Sequence, residues 1–277
     1  MEIQVFHIFR NNALGRETLL QSIYFSVQTN ANLSVYVPEH TKFLMYFEND
    51  VVQVDLDSSY LTQPETAVER AMALAEADGL VPRRVVPQAF TASTLPDIPV
   101  NFDFMTCPRT VSDLSSKIGL GYIGPRVRRI VKCARFPVLI ATPVFKPWTR
   151  LAVFFGGSVN GVKALKLGFR MARMTGMPLH VFTQADEKDK AYFQDIIDQE
   201  GIADTFEKQV DTWDVFTSGK FEDNLYAVPH DALCIVGAYG HGVIKDILFG
   251  SMVERIQATL PNPLMMVGPN YAASVGG

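Results

Sequence analysis

Residues 236–267 read VGAYGHGVIKDILFGSMVERIQATLPNPLMMV, and this stretch decides how the rest of the chain is read. It spells strand, glycine-rich loop, helix, strand. The run just before it, Ala232–Val236 (ALCIV), is apolar throughout, as a strand covered on both sheet faces must be. Gly237 and Gly240 follow, then nine residues, then Gly250-Ser251 at the head of an amphipathic helix. Glycine lets a main chain approach a ligand with no Cβ in the way. A helix start offers unpaired N–H groups and the positive end of a dipole to an anion. Ser251 can cap that helix or donate its hydroxyl to a phosphate. The physical reading is a phosphate cradle. The plainer reading of the same glycines is a sharp loop that packs helix tightly on strand.

The motif also carries a resemblance. Gly-x-x-Gly, nine residues, Gly-Ser, a helix opening with Val253-Glu254-Arg255, and a strand after Pro263 resemble the carboxyl end of universal stress protein domains. The resemblance implies an α/β fold of Rossmann-like, adenine nucleotide alpha hydrolase-like type, with an open twisted parallel sheet. It also implies ATP or a related adenine nucleotide, with or without Mg, bound by the C-terminal half. In that family the first strand ends in an Asp that holds the adenosine part. Here the position falls on Gly156, in Phe154-Phe155-Gly156-Gly157-Ser158, so the acid is missing. Main-chain contacts to adenine fall by resemblance on Val181. Phosphate and ribose contacts fall on Gly237, Gly240, His241, Gly250, Ser251 and Met252. Phe155 and Gly156, at the end of that strand, are candidate cofactor-binding residues by resemblance, though Phe155 with Met252 could instead fill the pocket. His241 could bond a phosphate or face solvent next to Tyr239.

At 277 residues the chain suits one large or two small domains. A 48% apolar and 19% charged composition fits a sheet covered on both faces. A formal charge of -4 argues against a nucleic-acid binder that works by neutralising phosphates. Cys107, Cys133 and Cys234 lie in or beside apolar segments and suggest buried thiols in a reducing cytoplasm. The N-terminus lacks the pattern of a signal peptide, and no apolar run approaches membrane-spanning length. The expectation is a soluble, cytoplasmic protein.

Upstream, strands and helices alternate in two rounds, which predicts parallel sheets with right-handed crossovers. The first round places strands at residues 1–10, Leu33–Val37, Arg84–Phe90, Phe102–Cys107 and Pro137–Ala141. Helices fall at Asn11–Ser26, Thr66–Ala77 and Pro125–Cys133. Phe43–Leu56 reads as a strand or hairpin, and Thr91–Pro99 as a loop. Thr142–Arg150 (TPVFKPWTR) is the linker, which divides the chain into domains 1–146 and 147–277. The second round runs through Leu151–Phe155, a helix Asn160–Thr175, Leu179–Thr183, a helix Asp186–Glu200, a strand Phe206–Val210 and a helix Asp214–Ala227.

The rounds repeat each other. Gly124, Arg129 and Pro137 recur 126 positions on as Gly250, Arg255 and Pro263, and Leu33-Ser-Val-Tyr recurs 146 on as Leu179-His-Val-Phe. The first round therefore holds about 20 extra residues, in the region of residues 40–100. The chain resembles a tandem universal stress protein. In that family closing strands often pair across domains, so Val138–Ala141 and Leu264–Val267 could join the halves as a pseudo-dimer; a homodimer or another protein partner remains open.

In the first round the equivalents of Gly237 and Gly240 fall near Val111 and Leu114, and Pro125 stands in place of Ser251. Pro125 suits a helix start but gives up an N–H. The first domain is expected to have lost its ligand. Gly119-Leu-Gly121-Tyr-Ile-Gly124 matches a dinucleotide pattern but lacks the preceding strand and the later acid, so it is set aside. Arg126, Arg128, Arg129, Lys132 and Arg135 give a basic helix surface, read as a solvated face or as an anion or acidic-partner site. His7, His40 and His230 have no metal-ligand spacing. No nucleophile elbow is present, and the loop lacks the Gly-Lys-Ser/Thr ending of a P-loop. No catalytic residue is assigned, and slow ATP hydrolysis is the most the pattern allows. Two readings compete: a nucleotide-binding regulator of the stress-response type, and a ligand-free interaction module of the same fold.

Overall fold

Parallel strands need crossovers over the sheet faces, and the chain makes them in each of two compact units, Met1–Pro147 and Trp148–Gly277. The computed structural model describes residues 2–91, 95–111, 122–185, 187–239 and 251–272.

The first unit opens with β1 (Gln4–Ile8), α1 (Ala13–Thr29) and β2 (Asn32–Tyr36). Asn12 caps α1 by accepting the Gly15 N–H at 2.8 Å. Asn30 closes it in the left-handed region at φ 51. An inserted segment follows: β3 (Lys42–Phe47), β4 (Asp50–Asp55), the 3-10 turn Ser58–Leu61 and α2 (Pro64–Glu76). Then come β5 (Arg83–Val85), β6 (Phe90–Thr91), β7 (Leu95–Ile98), β8 (Phe104–Cys107), α3 (Pro125–Cys133) and β9 (Val138–Ile140). The main sheet runs β9-β8-β1-β2-β5, all parallel. A second sheet runs β4-β3-β7-β6, with β3 and β4 as an antiparallel hairpin. Two expectations change here. Of the expected strand Arg84–Phe90, only Arg84 and Val85 join the main sheet, in β5. The expected loop Thr91–Pro99 contains β7, whose Met45↔Ile98 pairing places it in the second sheet.

The second unit is the simpler repeat. Its elements are β10 (Arg150–Phe154), α4 (Val159–Thr175), β11 (Leu179–Gln184), α5 (Lys190–Gln199) and α6 (Ala203–Gln209). They continue with β12 (Thr212–Phe216), α7 (Phe221–Asn224), β13 (Ala232–Gly237), α8 (Ser251–Thr259) and β14 (Leu264–Val267). The sheet order is β12-β11-β10-β13-β14, again parallel. Ser158 caps α4 through the Gly161 N–H, and Gly176 ends it at φ 68. Asn12 and Asn30 hold the same two places in the first unit, so the spacing of 146 seen in the strands persists through the helix.

The sequence misplaces one strand of this unit. Phe206 and Val210 are four residues apart on a helix, bonded Val210 N–H to Phe206 C=O at 3.0 Å. The strand comes later, at Thr212–Phe216, and takes the first residues of the expected helix Asp214–Ala227. Gly219, at φ 84, then turns the chain into the single turn of α7. The Trp213 ring meets the edge of Phe206, with centroids 5.0 Å apart.

Candidate functional site

In an open parallel sheet, ligands bind outside the carboxyl ends of the strands where the chain reverses its direction of travel across the sheet. The second unit runs β10 to β11 to β12 on one side, then returns to lay β13 and β14 on the other. The reversal falls between β10 and β13. The segments that leave these strands start at Phe155 and Ala238, and the glycines Gly156, Gly157 and Gly237 stand at that mouth.

Each has a different reason to be glycine. A Cβ at Gly237 would lie 2.3 Å from the Asn160 carbonyl oxygen and 2.8 Å from the Gly161 nitrogen. The first turn of α4 thus presses on the end of β13, and glycine there is a packing requirement. Gly157 sits at φ 73, in the left-handed region, facing Ile196 and Phe193. Gly156 is different: among the described residues, nothing lies within 4 Å of a Cβ built on it. No described residue fills the position where the resemblance expects an acid.

Asn160, only 6% exposed, donates its amide to Ala238 C=O at 2.5 Å and to Tyr239 C=O at 3.2 Å. Tyr239 follows at φ 60. This clamp ties Ala238 and Tyr239, the residues leaving β13, back to the start of α4. The sequence reading missed Asn160. A polar residue in the first turn of α4, two after its cap, was the available signal.

Gly240, His241 and Gly250 lie outside the described residues. Ser251 is the first residue of α8, and Met252, 39% exposed, is the second. Two of the candidate residues are buried. Phe155 is 1% exposed, turns its ring to Phe193, and spends its N–H on Phe182 C=O at 2.9 Å. Its side chain belongs to the core. Val181 is fully buried within β11, between Val153 and Trp213 in the ladder, and the strand continues to Gln184. A main-chain contact at the mouth would have to come from further along. Arg255 of α8 is engaged by Glu222, with Nη2 at 2.6 Å from its carboxylate, and lies over the Phe221 ring at 4.9 Å. The Arg255 hydrogen bonds hold the Glu222 carboxyl down at about 2.

The first unit reverses direction between β1 and β8, and there the same positions are filled. Arg10 stands where Gly156 does, and pairs with Asp57 at 3.1 Å, the two side chains 12% and 7% exposed. Its guanidinium lies over the Tyr60 ring at 5.3 Å. Asn11, where Gly157 stands, donates to Gln63 C=O at 3.1 Å and accepts from Arg70 at 3.3 Å. The segment after β4 thus occupies the mouth. Val111 is buried and accepts the Asp57 N–H at 3.2 Å. Leu114 and the Gly119–Gly121 part of the dinucleotide-like pattern lie outside the described residues. Gly124 precedes α3, and Pro125 is its first residue.

The basic helix is not a bare face. Arg126 pairs with Asp55, Arg129 with Asp50 at 2.9 Å, and Arg135 with Glu48 at 2.8 Å, all on the β3–β4 hairpin. Arg128 donates to Ile123 C=O at 2.6 Å and lies over Tyr122. None of the three cysteines is in a disulfide, and all are buried. Burial pushes Cys107 up to about 12 and Cys133 up to about 11. Among the described residues, no group of three or more His, Cys, Asp or Glu could hold a metal ion. No described helix is long and apolar enough to cross a membrane.

No protein-family model and no curated protein sequence matches the chain. Solved structures do. A universal stress protein from Archaeoglobus fulgidus aligns over 96% of this chain and 98% of its own, at 13% identity and a TM-score of 0.64. A putative universal stress protein from Pseudomonas aeruginosa aligns over 96% and 93%, at 12% identity and 0.55. The cytoplasmic domain of a prokaryotic cation chloride cotransporter aligns over 99% of both, at 8% identity and 0.50. The fold of this chain is that of universal stress proteins.

Proposed function

We propose, from that fold, that the chain is a regulatory protein of the stress-response type whose second unit binds ATP or a related adenine nucleotide. The observation that carries this reading is the contrast at the two reversal points: Arg10 and Asp57 fill one, while at the other no described residue fills the space beside Gly156. The first unit, on this reading, is ligand-free at its reversal point. In the second, the helix start at Ser251 and the loop held by Asn160 offer main-chain N–H groups to the phosphates. The adenosine side lacks its carboxylate, so affinity rests on the phosphate side. The described residues supply no ligand set for Mg, which would enter with the nucleotide. The loop sequence lacks the Gly-Lys-Ser/Thr ending of a P-loop, so on this reading the residues bind and orient, and any hydrolysis is slow. Three buried thiols suit a reducing cytoplasm.

The ligand-free interaction module is the second reading, favoured by one observation: Gly237, the first motif glycine, is explained by packing alone. Thermal unfolding with Mg-ATP separates the two. Saturating nucleotide stabilises the folded state by about 2.7 kcal/mol at a hundredfold excess over Kd, a shift of several degrees. Gly240→Val with Ser251→Ala abolishes the shift, and Gly156→Asp, which has room for its carboxylate, enlarges it. A shift that survives the double variant removes the cradle assignment.

A further inference from the structure

The first unit holds a cavity of about 680 Å³ well away from its filled reversal point. Its walls include Gln4, the first residue of β1; Arg83 and Arg84 of β5; Asp97 of β7; and Asn101 and Phe102 ahead of β8. These residues cluster at the amino-terminal ends of the main strands, the end opposite to Arg10 and Asp57. The inserted second sheet supplies part of the wall, so the cavity exists only because of the residues that set this unit apart from its repeat. Its volume falls in the range that holds small organic molecules.

The lining has a consistent chemistry. Phe102 is half-buried and its ring is stacked on Phe6, with centroids 4.6 Å apart and planes 10° from parallel. That gives one flat apolar wall already fixed in place. Two guanidinium groups face one carboxylate. Arg84 shares its charge with Glu39 at 3.2 Å, an exposed pair. Arg83 is exposed and makes no ion pair among the described residues. Its planar fork of donors matches a carboxylate or phosphate. Gln4 and Asn101 add neutral amides that can fix the orientation of a ring substituent.

We propose that this cavity binds a small aromatic anion, its ring against Phe102 and its carboxylate or phosphate on Arg83. The site shares no residue with the proposed nucleotide site, which belongs to the other unit. It gives the first unit a ligand of its own where the reversal point no longer takes one.

The test uses the full chain and calorimetric titration with 4-hydroxybenzoate, phenyl phosphate, benzyl alcohol and inorganic phosphate. At least one aromatic anion binds, and the two anions report whether carboxylate or phosphate is preferred. The neutral alcohol and inorganic phosphate each bind about tenfold more weakly or not at all, since each lacks one half of the recognition. Arg83→Ala, an exposed change that leaves the fold intact, weakens the aromatic anion by about tenfold. Phe102→Leu weakens it as well and leaves inorganic phosphate unaffected. Failure of both aromatic anions to bind overturns the proposal, as does binding unchanged in Arg83→Ala or equal binding of benzyl alcohol. The Mg-ATP shift is measured in Arg83→Ala in parallel. It is unchanged if the two sites are separate, so either assignment can fail without the other.

Discussion

His7 and Val153 hold the same place in the two units, and so do Ser22 and Gly168. In the second unit a Cβ at Gly168 would come within 2.5 Å of the Val153 side chain. The first unit instead places a histidine on the strand and a serine on the helix, with His7 Nδ1 and Ser22 Oγ 2.8 Å apart. His7 is fully buried, and its Nε2 meets no partner among the described residues. Burial lowers its pKa from 6.5 to about 3. The folded state keeps the ring neutral while the unfolded chain takes up a proton. Stability is therefore complete above pH 6.5 and erodes as pH falls towards about 3. The full loss is on the order of 5 kcal/mol. His7→Val with Ser22→Gly, which copies the second unit, flattens the slope of stability against pH between 6 and 4 in urea titrations. An unchanged slope means that other groups carry the acid limb. At this scale the sequence was legible only in part. The missing acid at Gly156 could be read directly. The packing role of Gly237 could not, because its partner Asn160 is distant along the chain.

The basic helix α3 and the hairpin β3–β4 form one electrostatic contact. The helix alone reads as a solvated or anion-binding surface, because its arginines face no acid within a helical turn. The acids come from Glu48, Asp50 and Asp55, residues in the inserted segment. Arg129 holds the Asp50 carboxyl below its usual range, chiefly through their hydrogen bond. The Arg129–Asp50 and Arg135–Glu48 pairs are exposed and Arg126–Asp55 partly so, and ion pairs screened by water contribute little to stability. Arg126→Gln, Arg129→Gln and Arg135→Gln together therefore leave the global melting temperature nearly unchanged. They speed amide exchange in β3 and β4, and added salt does the same to the native protein. Exchange that stays slow in the triple variant indicates that Phe43, Met45, Val52 and Val54, all fully buried, hold the hairpin alone. The strand misplaced at Phe206–Val210 has a related cause. Two apolar residues four apart suit a helix face as well as a short strand, and β12 alternates too weakly to compete.

Over the whole molecule, two copies of one topology have diverged at their reversal points. Hydrogen exchange with and without Mg-ATP tests that divergence. Protection rises in the segments around Gly156–Asn160 and Gly237–Glu254 and stays level around Arg10, Asp57 and Tyr60. Equal protection in both units contradicts a single nucleotide site. The sequence by itself determined the alternating α/β order, the repeat, the start and stop of most helices, and the glycine–serine motif. Those depend on hydrophobic period, caps and spacing, which are local in the chain. Only the tertiary structure decided that Arg10 is buried against Asp57, that Phe155 and Val181 belong to the core, and that Gly237 is a packing glycine. It alone revealed that the inserted sheet encloses a cavity. Each of these follows from residues far apart in sequence meeting in space, and the pattern of any one segment carries no record of its distant partner.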